Sequence, residues 1–131
     1  MTKVFISVPM KGRTKDQIIN SINAMHEIAE VMAGESLQPV HNFDHVEAPD
    51  GVIDRLYYLG GALKLLSECD YIICTDDWRF DGCRIERMAA EAYGITILDI
   101  CMRNMACFND IVPYEIALEG VTNGCNENES N

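Results

Sequence analysis

Glu86 is the residue of this chain whose neighbours best equip it for chemistry. It stands in the run Asp81-Gly82-Cys83-Arg84-Ile85-Glu86-Arg87-Met88-Ala89-Ala90-Glu91-Ala92-Tyr93-Gly94. A strand-like stretch, Tyr71-Ile72-Ile73-Cys74, and a polar loop with the only tryptophan, Trp78, precede that run. Gly82 permits a tight turn. Ile85, Met88, Ala89 and Ala92 then recur as one apolar stripe at helical spacing. The pattern puts Glu86 in the first turn of the helix, where the helix dipole favours its ionised form. A loop at the carboxyl end of a strand, opening into a helix, is where open α/β sheets bind ligands. A carboxylate fixed there is a candidate nucleophile or general base. The competing reading is a solvated glutamate in a first turn.

Three other groups carry possible chemistry. The loop Ser7-Val8-Pro9-Met10-Lys11-Gly12-Arg13-Thr14 leads into a helix start. Free N–H groups there, with Arg13 and the Thr14 hydroxyl, suit a phosphate, against the reading of an ordinary loop with exposed charges. Asp70, just before the Tyr71 strand, reads as a cap or turn residue or as a functional acid. Asp76, Asp77 and Asp81 surround Trp78 in a loop that suits sugar hydroxyls or a metal, or is simply a solvated acidic loop. Trp78 itself can stack on a base or cover a core edge. His26, read as a surface residue, and His41 and His45 have no partners at ligand spacing and receive no role. No G-x-G-x-x-G follows the first strand, and neither a P-loop nor a G-x-S-x-G elbow is present.

The elements that must position these residues alternate between strand and helix. Lys3 to Val8 reads as a β-branched and aromatic strand ended by Pro9. Thr14-Lys15-Asp16-Gln17 has the form of a capping box. The helix after it carries Ile18, Ile22, Met25, Ala29 and Met32 on one face, and Gly34 ends it. Leu37 to Asn42 is a weaker strand, and Val52 to Ser67 a helix weakened by Gly60-Gly61. Asp70 to Thr75 and Ile95 to Ile100 are the third and fourth strands, with the Glu86 helix between them. Val112 to Glu119 reads as a last helix, with Pro113 near its start. Near-continuous apolar strands separated by helices predict an α/β fold: a single three-layer domain over residues 1–120, with a small parallel sheet of about four to five strands and helices on both faces, flavodoxin-like or Rossmann-like. Residues 121–131 are polar and expected to be a disordered tail.

Composition sets outer limits. A chain of 131 residues is long enough for one domain with a real core. A net charge of −11 argues against a nucleic-acid polymer or an anionic membrane as partner. A small phosphorylated ligand remains compatible with it. The six cysteines form no C-x-x-C pair and have poor spacing for zinc, so reduced thiols and a cytoplasmic location are expected, with no metal and no cofactor. Cys69 and Cys74 read as buried thiols at a strand edge.

Taken together, these residues resemble the nucleoside 2-deoxyribosyltransferase superfamily. Val4-Phe5-Ile6-Ser7-Val8-Pro9-Met10 resembles its opening strand and loop, Leu66-Ser67-Glu68-Cys69-Asp70 its L-x-x-x-D, and Gly82, Glu86 and Gly94 its G-x-x-x-E pattern with a later glycine. The likeness is strongest to a bacterial and phage branch of unknown function. That branch shares the F-I-S-x-P-M opening, the Leu59-Gly60 step and a segment like Trp78 to Glu86. It covers about residues 3–100. Two departures stand out. Phe80 occupies the position where the family often has Asp, with Asp81 one residue later, and Val8 replaces the expected loop glycine.

The resemblance implies cleavage of the N-glycosidic bond of a nucleoside or nucleoside 5'-monophosphate. Glu86 would attack the anomeric carbon, and a second base or water would then take the sugar, as in a retaining glycosidase. It implies that Asp70 assists and that Gly12-Arg13-Thr14 holds a 5'-phosphate. Ser7, Pro9, Met10, Trp78, Asp81 and Gly82 would complete the substrate site. It further implies a homo-oligomer, dimer or larger, because relatives build their sites across a subunit interface. The alternative is a non-catalytic protein that binds a nucleotide or nucleotide signal in the same pocket.

Overall fold

The computed structural model describes residues 1–43, 47–75 and 80–100. The elements run β1 (Lys3–Ile6), α1 (Lys15–Ala33), β2 (Gln38–Val40), α2 (Asp54–Leu66), β3 (Tyr71–Thr75), α3 (Asp81–Tyr93) and β4 (Thr96–Ile100). All four strands are parallel, in the order β2-β1-β3-β4. The expected helix at Val112 to Glu119 and the tail lie outside the described residues.

Alternation along each strand builds three layers. Side chains of successive strand residues point to opposite faces. Val4, Ile6, Ile73, Leu98 and Ile100 therefore pack with Ile18, Ile22, Met25, Ile28 and Ala29 of α1. On the other face Phe5, Ile72 and Cys74 pack with Ala62 and Leu66 of α2 and Ala90 of α3. The expected α1 stripe is the buried face of that helix, with Met32 packed at its end. The capping box is formed: Thr14 Oγ1 accepts from Gln17 N at 3.1 Å, and Gln17 Oε1 accepts from Thr14 N at 2.9 Å. Gly34 and Gly94 close α1 and α3 at φ of 73° and 80°, a left-handed backbone that suits glycine. No helix among the described residues is long and apolar enough to cross a membrane.

Several elements differ from the sequence reading. β1 ends at Ile6, two residues early, because Val8 N donates back to Ile6 O and turns the chain. Ser7 N still donates to Ile73 O at 3.0 Å, so the β1–β3 contact continues to the loop. α2 tolerates its glycine pair. At Gly61 a side chain would lie 3.6 Å from the Asn42 amide, which packs there and donates to Tyr58 O. His26 is not a free surface residue: its Nε2 donates to Leu37 O at 2.8 Å, tying α1 to the entry of β2.

The largest correction concerns α3. The apolar stripe of this helix is turned outward at Ile85, Met88 and Ala92, which are exposed, while Ala89 packs against the core. The buried positions are Cys83, Glu86 and Ala90 instead. Two polar anchors set that rotation. Arg87 pairs with Asp99 of β4, and Glu86 bonds to Ser7 beyond β1.

Candidate functional site

The strand order reverses direction between β1 and β3: each of these neighbours sends its following helix to a different face. A crevice opens at such a point, outside the carboxyl ends of the strands, and is the usual ligand site of doubly wound sheets. Here it is a cleft of about 410 Å³, within the usual range of about 300–1,000 Å³ for small-molecule sites. The β1–α1 loop supplies Val8, Met10 and Lys11. Asn42 and α2 supply an opposing wall through Arg55, Tyr58, Leu59 and Ala62, and the start of α3 supplies Phe80, Asp81, Gly82, Cys83 and Glu86.

Glu86 is the buried acid of this cleft, at 9% exposure. It is the sixth residue of α3, in the second turn rather than the first. The helix dipole acts mainly within the first turn, so it does little for Glu86. Burial dominates instead and pushes the carboxyl up to about 7, opposed by the hydrogen bond from Ser7. Ser7 Oγ donates to Glu86 Oε1 at 2.6 Å, and both side chains are buried. The Cys83 thiol, one turn earlier on α3, lies 3.6 Å from Ser7 O, to which it donates. Near neutral pH Glu86 thus passes between a carboxylic acid that can donate a proton and a carboxylate that can attack carbon or accept a proton.

The cleft has charge at its edges. Asp81 accepts from Arg84 Nη2 at 3.0 Å and lies 3.4 Å from Arg55 Nη2, in an exposed cluster. Lys11 is exposed on the facing loop. Two cations from opposite walls therefore border a site on an otherwise acidic chain.

The expected site residues separate into groups. Glu86, Met10, Asp81 and Gly82 line the cleft, and Ser7 joins them through Glu86. Gly82 is not a turn glycine: it is helical, and a side chain there would meet nothing within 4 Å. Pro9 is fully buried and its carbonyl accepts from Arg13 Nη1 at 2.9 Å. Arg13 turns along α1, donating also to Ser21 Oγ at 2.6 Å and Gln17 O at 3.3 Å. Gly12 makes the turn before α1, and the Thr14 hydroxyl is occupied in the capping box. Gly12, Arg13 and Thr14 do not line the cleft. Asp70 is at the opposite end of β3, where it accepts from Lys3 N at 3.0 Å. A five-residue strand rises roughly 16 Å, and the structure does not bring Asp70 to Glu86. Trp78, with Asp76 and Asp77, lies outside the described residues.

Sequence reasoning missed the α2 wall. Arg55, Tyr58 and Leu59 come from a helix with no recognisable motif beyond the Leu59-Gly60 step. Spacing was a signal: Arg55, Tyr58, Leu59 and Ala62 follow one another at helical intervals, with Ala62 buried at the foot of the row. Cys83 was masked by its neighbours in the glycine-to-glutamate motif. Among the described residues the thiols of Cys69, Cys74 and Cys83 are buried, and burial raises the first of them to about 11.

Comparison with known proteins supports the fold. No protein-family model matches the chain, and no curated protein sequence matches it. A solved structure of a 2-deoxyribosyltransferase from the psychrotolerant bacterium Bacillus psychrosaccharolyticus is similar, with a TM-score of 0.53 and 12% sequence identity. The alignment covers 88% of this chain and 80% of that one. The three-layer arrangement around a parallel sheet is thus similar to the fold of that 2-deoxyribosyltransferase.

Proposed function

We propose that the cleft at the β1–β3 switch point binds a nucleoside or nucleoside 5'-monophosphate and that Glu86 cleaves its N-glycosidic bond. The observation that carries this reading is a buried glutamate, hydrogen-bonded by Ser7, in a nucleoside-sized cleft on the fold of a 2-deoxyribosyltransferase. In its carboxylate form Glu86 attacks the anomeric carbon. The C–N bonding pair leaves with the base, which takes a proton from a solvent water, and the sugar becomes an ester of Glu86. A second base, or water, then displaces Glu86 and takes the sugar. The apolar walls of Val8, Tyr58, Leu59 and Phe80 accommodate a base and restrict water near the carboxylate. That dryness sharpens the electrostatics of attack and is also the source of the raised proton affinity of Glu86.

Lys11 and Arg55 take the place of Arg13 as the cations suited to a 5'-phosphate, since both border the cleft and Arg13 does not. Asp81, which borders the cleft, accepts hydrogen bonds from sugar hydroxyls in this reading. The site is completed in a homo-oligomer, dimer or larger, of a chain that works in the cytoplasm.

One observation favours a second reading, a non-catalytic binder of a nucleotide or nucleotide signal. Val8 and Phe80, the two departures from the family pattern, both line the cleft and narrow its polar character. Incubation with a panel of nucleosides and 5'-monophosphates, followed by chromatography for free base, separates the two. Base release that disappears in Glu86→Gln supports the enzyme. Thermal stabilisation by a nucleotide, with no base released from any of the panel, supports the binder.

A further inference from the structure

We propose that Ser7 is a positioning residue that acts through Glu86: its hydroxyl fixes one carboxylate oxygen, leaving the other to face the ligand. The inference deepens the reading of Glu86 as nucleophile and rests on it for its catalytic part only.

The geometry gives Ser7 one task. Its backbone is held from two elements, with the N–H donating to Ile73 O of β3 at 3.0 Å and the carbonyl accepting from the Cys83 thiol of α3 at 3.6 Å. The residue is 1% exposed, so its hydroxyl has no solvent to turn to. The hydroxyl reaches Glu86 Oε1 at 2.6 Å, the short length of a bond to a charged acceptor. Ser7 does not itself border the cleft, whereas Glu86 does. A ligand therefore meets Ser7 only through the carboxylate it holds. A hydroxyl fixed by its own backbone restricts a flexible glutamate to one rotamer and leaves its second oxygen for the reacting carbon.

The bond also bears on ionisation. A donor to the carboxylate favours the charged form, and burial favours the neutral one. The other charged or titratable groups bordering the cleft are Lys11 from the β1–α1 loop, Arg55 and Tyr58 from α2, and Asp81 and Cys83 from α3. None of these moves Glu86 as strongly as its burial and the Ser7 hydroxyl. The bond to Ser7 is thus the principal interaction that keeps part of the population ionised at neutral pH.

The test is an infrared pH titration of the Glu86 carbonyl stretch, identified as the band that Glu86→Gln lacks. In Ser7→Ala the midpoint should rise by about one pH unit, a tenfold gain in proton affinity. Ser7→Thr, which keeps the hydroxyl, should restore the wild-type midpoint, and Ser7→Cys, a weaker donor of similar size, should fall between. If base release is detected, the acid limb of its pH profile should move with the infrared midpoint while KM changes little. An unmoved midpoint in folded Ser7→Ala overturns the proposal. If Ser7→Ala does not fold, equal midpoints in Ser7→Cys and wild type overturn it. The infrared titration requires no turnover, so absence of base release would sink the enzymatic reading while the midpoints still decide the role of Ser7.

Discussion

A carboxyl that is neutral in the folded state up to about pH 7 and near 4.5 otherwise makes stability depend on pH with a definite sign. Below pH 4.5 Glu86 is protonated in folded and unfolded chains alike and contributes no pH dependence. Between there and pH 7 the unfolded chain releases its proton and the folded one retains it, so stability falls as pH rises. Above pH 7 the full penalty remains, at about 3 kcal/mol. Denaturant unfolding of wild type and Glu86→Gln across this range should show the gap between them widening in favour of the variant by that order as pH rises. A constant gap would mean that Glu86 titrates normally. The same substitution should reduce base release by orders of magnitude, because the nucleophile is lost. Arg13 presents the opposite case. It donates to Pro9, Gln17 and Ser21 rather than to the cleft, so Arg13→Ala should cost stability by about 1–3 kcal/mol and not discriminate between a nucleoside and its monophosphate. Arg55→Ala and Lys11→Ala should weaken the monophosphate selectively, each by about 1.5–3 kcal/mol as for a charged hydrogen bond; calorimetry with both ligands distinguishes the two patterns.

At the scale of the elements, what was legible followed from local rules. The α1 helix announced its start by Thr14 and Gln17, its face by Ile18, Ile22, Met25 and Ala29, and its end by Gly34, and each signal acts within a turn or two. Thr14→Ala should therefore lower stability by about 1 kcal/mol, read as a shifted urea midpoint with an unchanged slope. The rotation of α3 was not legible. Its apolar residues at Ile85 and Met88 outweigh Cys83, Glu86 and Ala90 in any reading by hydrophobicity, yet the polar anchors Ser7 and Asp99 come from the loop after β1 and from β4. Those contacts span 79 and 12 positions, beyond the reach of a helical period. The candidate site divides in the same way. Glu86 was singled out from its loop and helix context, but its burial and raised proton affinity depend on contacts with α2 and the β1–α1 loop that no local motif encodes. Asp70 was attracted to the site by its place beside β3, and only the direction of the strand shows that it lies at the far end.

At the scale of the whole molecule, the parallel sheet and its two helical layers were implied by the alternation of strand and helix, whereas the order β2-β1-β3-β4 depends on long-range pairing. That order makes the cleft, and the helical layer beside it leaves a problem of surface. Val52, Ile53, Leu56 and Tyr57 at the start of α2, with Ile85 and Met88 on α3, are exposed apolar residues in the layer that forms one wall of the site. Clustered exposed apolar residues are a common mark of an interaction surface. A second copy of the chain meeting itself there would bury them by a two-fold arrangement, in which one patch serves both partners. It would also place a neighbouring chain beside Arg55, Tyr58 and Leu59 at the cleft. The expected mass by light scattering at micromolar concentration is therefore that of a dimer or a larger closed assembly. Leu56→Asp and Met88→Asp, each placing a charge in the contact, should return the protein to a monomer while circular dichroism retains the signal of folded helices, since both side chains are already exposed. A wild-type monomer would remove the oligomer from the functional reading, and a dimer indifferent to both charges would place its interface on another face. If the dimer also shapes the cleft, the same two variants should lose nucleotide-dependent thermal stabilisation together with association, and the dependence of that stabilisation on protein concentration in the wild type would trace the same equilibrium.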